Sequence, residues 1–157
     1  MPLIHLTTFI EAPVERVFDL SRSIDLHKKS MQQFGEEPIN GRINGLLNEG
    51  EDVTWKAKHL FKTRILKVKL TSLKRPHSFI DEQVEGDFRM MKHEHVFKPI
   101  ENGTIMIDLF HFETGYGFFG SLLNRFYLVN YLQTLLEERN KLIKQAAETA
   151  QWKNYLN

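Results

Sequence analysis

The sequence predicts an α+β fold: an antiparallel β-sheet with one apolar face, covered by a long C-terminal helix, and two short helices near the N-terminus. Three observations carry this. Residues 52–113 form extended segments separated by turn residues with no helical stretch between them, as in an antiparallel meander. From Gly120 to Asn157 the apolar spacing turns helical and meets no further proline or glycine. Near the start, Pro13 ends a β-branched segment and opens a helical one.

Taken in order, residues 3–11 alternate loosely, with Ile4, Thr7, Thr8, Phe9 and Ile10 suited to a strand. Pro13 fits a first helical turn, Glu15 fits the positive end of its dipole, and Val14, Val17 and Phe18 recur at helical spacing, so a short helix runs to about Leu20. Ser23 caps a second, from Ile24 to about Gln32. Gly35, Pro38, Gly41, Gly45 and Gly50 then allow only irregular chain, with short strands at most around Ile39 and Leu46. Strands follow at 53–61, 64–73, 78–84, 88–97 and 104–112, with turns at Arg75-Pro76, Glu85-Gly86-Asp87 and 98–103. Phe119, Leu122, Phe126, Val129, Leu136, Ile143, Ala147 and Ala150 form the stripe of a helix about 30 residues, or ~45 Å, long. It is the one element able to cover the sheet.

At 157 residues the chain is expected to be a single domain over 1–157, as a monomer or homodimer. Its 41% hydrophobic and 26% charged residues exclude fibrous and disordered classes. No charge-free run approaches the ~18 apolar residues of a membrane span, and the N-terminus lacks the pattern of a secretory signal. Without cysteine there are no disulfides, thiolate metal sites or cysteine nucleophiles, which fits a cytoplasmic location. A net charge of +1 gives no global field that would select nucleic acid, and none is expected as a partner.

Alternation sorts the strand residues into two faces. Val53, Trp55, Ala57, His59 and Phe61 oppose Thr54, Lys56, Lys58 and Lys62; Leu66, Val68 and Leu70 oppose Lys67 and Lys69. The lysines mark water, so Met91, His93, His95 and Phe97 face inward opposite Lys92 and Glu94. Two strands stay open: Phe79, Asp81 and Gln83 compete with Ile80, Glu82 and Val84, and Met106, Asp108, Phe110 and Phe112 compete with Ile105, Ile107, Leu109 and His111. Large apolar residues mixed with three histidines suit a pocket better than a dry core.

The chain resembles the helix-grip proteins: START lipid-transfer domains, the birch pollen allergen and bacterial aromatic polyketide cyclases. The matching segments are Ile10-Glu-Ala-Pro-Val-Glu-Arg-Val-Phe-Asp-Leu-Ser-Arg-Ser-Ile-Asp-Leu-His27, Val53-Thr-Trp-Lys-Ala-Lys-His59, Phe79-Ile-Asp-Glu-Gln-Val-Glu-Gly86, His93-Glu-His-Val-Phe97 and Thr104-Ile-Met-Ile-Asp108. The resemblance implies a curved antiparallel sheet wrapped around the C-terminal helix. It also implies a hydrophobic or aromatic small-molecule ligand between them, carried or sensed, or else cyclised or dehydrated.

The candidate ligand-binding residues are Trp55, Ala57, His59, Met91, His93, His95, Asp108, Tyr116, Phe119 and Phe126. If a reaction is catalysed, His93 or His95 would act as acid and base, with Asp108 or Asp81 setting the tautomer. The same two histidines could chelate a metal if His59, Asp108 or Glu82 converged on them; hydrogen bonding in a polar pocket layer is the preferred reading, and neither metal nor cofactor is expected. No Gly-x-Ser-x-Gly elbow supports hydrolysis. Gly115-Tyr-Gly-Phe-Phe-Gly120 copies a dinucleotide fingerprint, but no second parallel strand follows it, and it reads instead as an aromatic hinge at the pocket mouth or, equally, as a plain strand-to-helix loop. Lys56, Lys58, Lys62, Arg64, Lys67, Lys69, Lys74 and Arg75 read as a solvated outer face. Arg139, near the helix stripe, could reach a ligand carboxylate in the pocket, but is expected to snorkel at the rim or to pair with Glu137, Glu138 or another acid.

Overall fold

The computed structural model describes residues 2–115 and 122–156, with side chains of the last helix from residue 125 onward. In chain order the elements are β1 (Leu3–Ile10), α1 (Val14–Ser21), α2 (Ile24–Ser30), β2 (Glu37–Gly41), β3 (Asp52–His59), β4 (Lys62–Lys74), β5 (Ser78–Glu85), β6 (Phe88–Ile100), β7 (Gly103–Thr114) and α3 (Leu122–Glu148). The strands make one antiparallel sheet in the order β1-β7-β6-β5-β4-β3-β2. From β2 to β7 this is the expected meander, and β1 closes the far edge beside β7. Helix α3 packs against β1, α1 and α2. Among the described residues no helix is long and apolar enough to cross a membrane.

Register places the polar residues of interest side by side. His93 lies opposite Asp81 on β5 and Phe110 on β7, and His95 lies opposite Phe79 and Asp108. Both open strand faces are thereby settled. Phe79 is buried and Val84 exposed, while Met106, Asp108, Phe110 and Phe112 are all buried.

Four expectations need correction. Phe61 does not face inward: β3 ends at His59, Leu60 and Phe61 form the turn with φ of 53° and 66°, and the Phe61 side chain is 96% exposed. The segment 98–103 is not all turn, because β6 continues through Pro99, which pairs with Thr104. The last helix stops at Glu148, where the Thr149 hydroxyl accepts from the Gln151 N–H and starts a separate 3₁₀ turn, Ala150–Asn154. The covered stripe of α3 is Leu128, Tyr131, Leu132, Leu135, Leu136 and Arg139, followed by Ile143, Ala146 and Ala147. Phe126 precedes Leu128 by two residues, or about 200° around the helix, and so faces solvent at 65% exposure.

The core outside the cavity centres on Phe18 of α1. Its ring meets Phe79 and Phe97 edge-on, with centroids 5.4 and 5.1 Å apart, and this joins α1 to the middle of the sheet.

Candidate functional site

Between the sheet and α3 lies a cavity of about 270 Å³. Apolar side chains dominate its wall: Leu66, Val68, Leu70, Met91 and Phe110 from the sheet, Trp55 beside them, and Leu128, Leu132, Leu135 and Leu136 from α3. Two polar clusters interrupt this wall.

The first is built on β5, β6, β7 and α3. Asp108 is fully buried behind the wall, and its carboxylate accepts from His93 Nε2–H (2.8 Å), Arg139 Nη1 (3.2 Å) and Asn140 Nδ2 (2.7 Å). Burial alone would push this carboxyl up, but the Arg139 guanidinium and His93 more than offset it, and Asp108 stays ionised far below the usual range. Arg139 also donates through Nη2 to His95 Nδ1 at 3.2 Å. Because arginine only donates, Nδ1 of His95 is the lone-pair nitrogen and its proton sits on Nε2, donated to Asp81 Oδ2 at 2.7 Å. His95 is therefore neutral. Burial, the neighbouring His93 and Arg139 lower its pKa from 6.5 to about 4, outweighing Asp81. Asp81 is pushed up by burial and down by the histidines and Arg139, and the lowering wins.

His93 differs from His95 in one respect. Its Nε2–H is committed to the ionised Asp108, so when the ring is neutral Nδ1 carries the lone pair. No described residue pairs with Nδ1, yet no polar atom sealed in the interior lacks a partner among the described residues. That nitrogen is therefore open to the cavity, which His93 lines. The second oxygen of Asp81, another lining residue, likewise takes no hydrogen bond from described residues.

The second cluster lies two helical turns toward the N-terminus of α3. Glu36 is buried, and its carboxylate accepts from His27 Nε2–H at 2.6 Å and His59 Nε2–H at 3.2 Å. Burial raises Glu36, the two imidazoles lower it more, and its pKa falls from 4.5 to about 2. His59 Nδ1 meets the Tyr131 hydroxyl at 2.7 Å. Aromatic faces hold both imidazoles: Trp55 lies 4.4 Å from the His27 centroid and Phe34 lies 4.7 Å from that of His59.

Of the residues singled out from sequence, Trp55, His59, Met91, His93 and His95 line the cavity. Ala57 is buried but not in the lining, although Trp55 and His59, two residues to either side of it on β3, both are. Asp108 sits behind His93 rather than at the wall. Phe126 faces solvent, for the helical-phase reason given above. Tyr116 and Phe119 lie outside the described residues. Arg139 is not at the rim and pairs with neither Glu137 nor Glu138; it is buried beneath the first cluster, where another acid, Asp108, compensates its charge, as one of the expected pairings had it. Sequence reasoning missed His27, Glu36 and Tyr131. The last shares an i, i+4, i+8 row with Leu135 and Arg139, a signal that was there to read.

Asp81, His93 and His95 each offer a ligand atom within 4.8 Å of the others. His59, Asp108 and Glu82 are not in that group. The rings of His93 and His95 stack with centroids 3.7 Å apart and planes tilted by 26°. A metal ion must lie near the plane of each imidazole it binds, and stacked rings put those planes side by side. Arg139 also occupies the lone pair of His95. In this arrangement the three residues make hydrogen bonds, not a ligand set.

No protein-family profile and no curated protein matches the chain by sequence. Solved structures do match by shape. TTHA0849 from Thermus thermophilus superposes with a TM-score of 0.74 at 22% identity, covering 93% of this chain and 97% of that one. Ginseng major latex-like protein 151 from Panax ginseng gives 0.67 at 13% identity over 94% and 98%. The chain has the helix-grip fold. A third helix-grip match is the di-domain ARO/CYC StfQ from the steffimycin biosynthetic pathway, with a TM-score of 0.73 at 12% identity. There the match covers 93% of this chain and 50% of StfQ. At these identities the likeness establishes the helix-grip architecture, and the chemistry must be argued from the cavity.

Proposed function

We propose that the chain, acting as one ligand-binding domain, holds a small hydrophobic or aromatic molecule between its sheet and α3. The observation that carries this reading is the apolar cavity of about 270 Å³ with polar groups already fixed in its wall. A cavity of about 150 Å³ lined by aliphatic and aromatic residues takes up benzene, so this one suits a body of about two fused rings. Shape and apolar area supply affinity, while the few placed polar groups orient the ligand. Native mass spectrometry of freshly purified protein tests this. A co-purifying small molecule supports it; bare protein that also fails to bind 2-naphthol saturably contradicts it.

A second reading is favoured by one observation, the open Nδ1 of His93 backed by ionised Asp108. In a dehydration, Nδ1 would take a proton from carbon beside a carbonyl, and Asp108 would stabilise the imidazolium. The proton would then pass to the departing β-hydroxyl, which leaves as water. The likeness to the ARO/CYC StfQ fits this chemistry. Turnover of a two-ring β-hydroxyketone, abolished by His93→Gln but retained by His59→Gln, supports the enzyme. Saturable binding with no product supports a carrier or sensor.

A further inference from the structure

We infer that Tyr131, oriented by His59 and Glu36, is a second ligand-contacting site, and that it selects ligands bearing a hydroxyl at the end remote from His93. The inference rests on the cavity-binding reading above and adds a specificity that an apolar hollow would lack.

The hydrogen-bond chain fixes which way the hydroxyl points. Ionised Glu36 can only accept, so His59 presents Nε2–H to it, and when the ring is neutral Nδ1 is the lone-pair nitrogen. In that state the Tyr131 O–H donates to His59 Nδ1, 2.7 Å away. Its oxygen keeps lone pairs and takes no other hydrogen bond from the described residues. Tyr131 retains its proton, because burial and the nearby Tyr127 and Glu36 raise its pKa. Tyr131, His59, Glu36 and His27 all border the same cavity.

Phe34 against His59 and Trp55 against His27 restrict the rings, so the acceptor is held in place before a ligand arrives. The opposite end also presents acceptors, His93 Nδ1 and the second oxygen of Asp81. Tyr131 and Arg139, which mark the two ends on α3, are eight residues apart, or about 12 Å along the axis. A rigid two-ring body with a hydroxyl at each end satisfies both sets of acceptors and suits a volume of about 270 Å³. A body with one hydroxyl satisfies one set only.

The test compares naphthalene-2,6-diol with 2-naphthol by fluorescence titration of the full chain. One hydrogen bond between neutral groups corresponds to about fivefold in affinity, so the wild-type protein should bind the diol about five times tighter. Tyr131→Phe should lose the preference for the diol over 2-naphthol. Glu36→Gln should weaken the preference by releasing His59. 6-Methoxy-2-naphthol, unable to donate at one end, should bind wild type no tighter than 2-naphthol, a comparison that needs no variant. No diol preference in wild type, or one that survives Tyr131→Phe, overturns the inference while leaving the cavity reading intact. If neither naphthol binds wild type, the cavity reading fails and this inference fails with it.

Discussion

His93 and His95 stack with ring centroids 3.7 Å apart, yet they answer to different carboxylates: His93 to the sealed Asp108 and His95 to Asp81 at the cavity wall. That split gives two similar residues unlike tasks. His95 has both nitrogens occupied and serves as a fixed neutral strut between Asp81 and Arg139. His93 has one nitrogen held from behind and one open to a ligand. Of the two histidines, His93 is the one with a nitrogen left to face a ligand.

Asp108 is the counter-ion that lets Arg139 be buried. Asp108→Asn keeps the shape but leaves a buried guanidinium uncompensated, at a cost of roughly 3–5 kcal/mol. Urea denaturation at neutral pH should show a loss of that size. A loss below about 1 kcal/mol would mean that water reaches Arg139.

His95 should make stability depend on pH in one window. Between pH 6.5 and about 4 the unfolded chain takes up a proton that the folded ring refuses, so stability falls as pH is lowered through that range and levels off below it. The full effect is roughly 3 kcal/mol. In His95→Gln the slope across this window should flatten; an unchanged slope would assign the titration to another group.

Glu36 acts lower down. Between pH 4.5 and about 2 the unfolded carboxyl is protonated while the folded one remains ionised beside His27 and His59, so stability again falls with falling pH. Glu36→Gln should be less stable than wild type at pH 6, and the two denaturation midpoints should converge toward pH 2. Midpoints separated by a constant amount across this range would contradict the assignment.

Much of the fold was legible because its signals are periodic. Lysines at alternate positions of β3 and β4 marked the wet face, and a glycine-free, proline-free C-terminal segment marked the covering helix. The cavity histidines followed from the same alternation, being in phase with Met91 and Phe97 on β6. What stayed hidden depends on contacts distant in sequence. Nothing local distinguishes Glu36 from any acidic loop residue, because its partners His27 and His59 come from another helix and a strand. That Arg139 pairs with an acid was among the readings open to the sequence, but which acid was hidden, because Asp108 is on a strand 31 positions earlier in the chain. Phe126 was misplaced by a helical stripe drawn through too many weak apolar positions.

The most direct measurement is a titration of wild type and Leu132→Trp with 2-naphthol. Leu132 lines the cavity from α3 and is partly buried, so a larger ring there should fill the hollow while leaving the sheet intact. The account predicts saturable one-to-one binding by wild type and at least a tenfold loss in the filled variant at unchanged circular dichroism. Equal binding by the two proteins, or none by wild type, would contradict it.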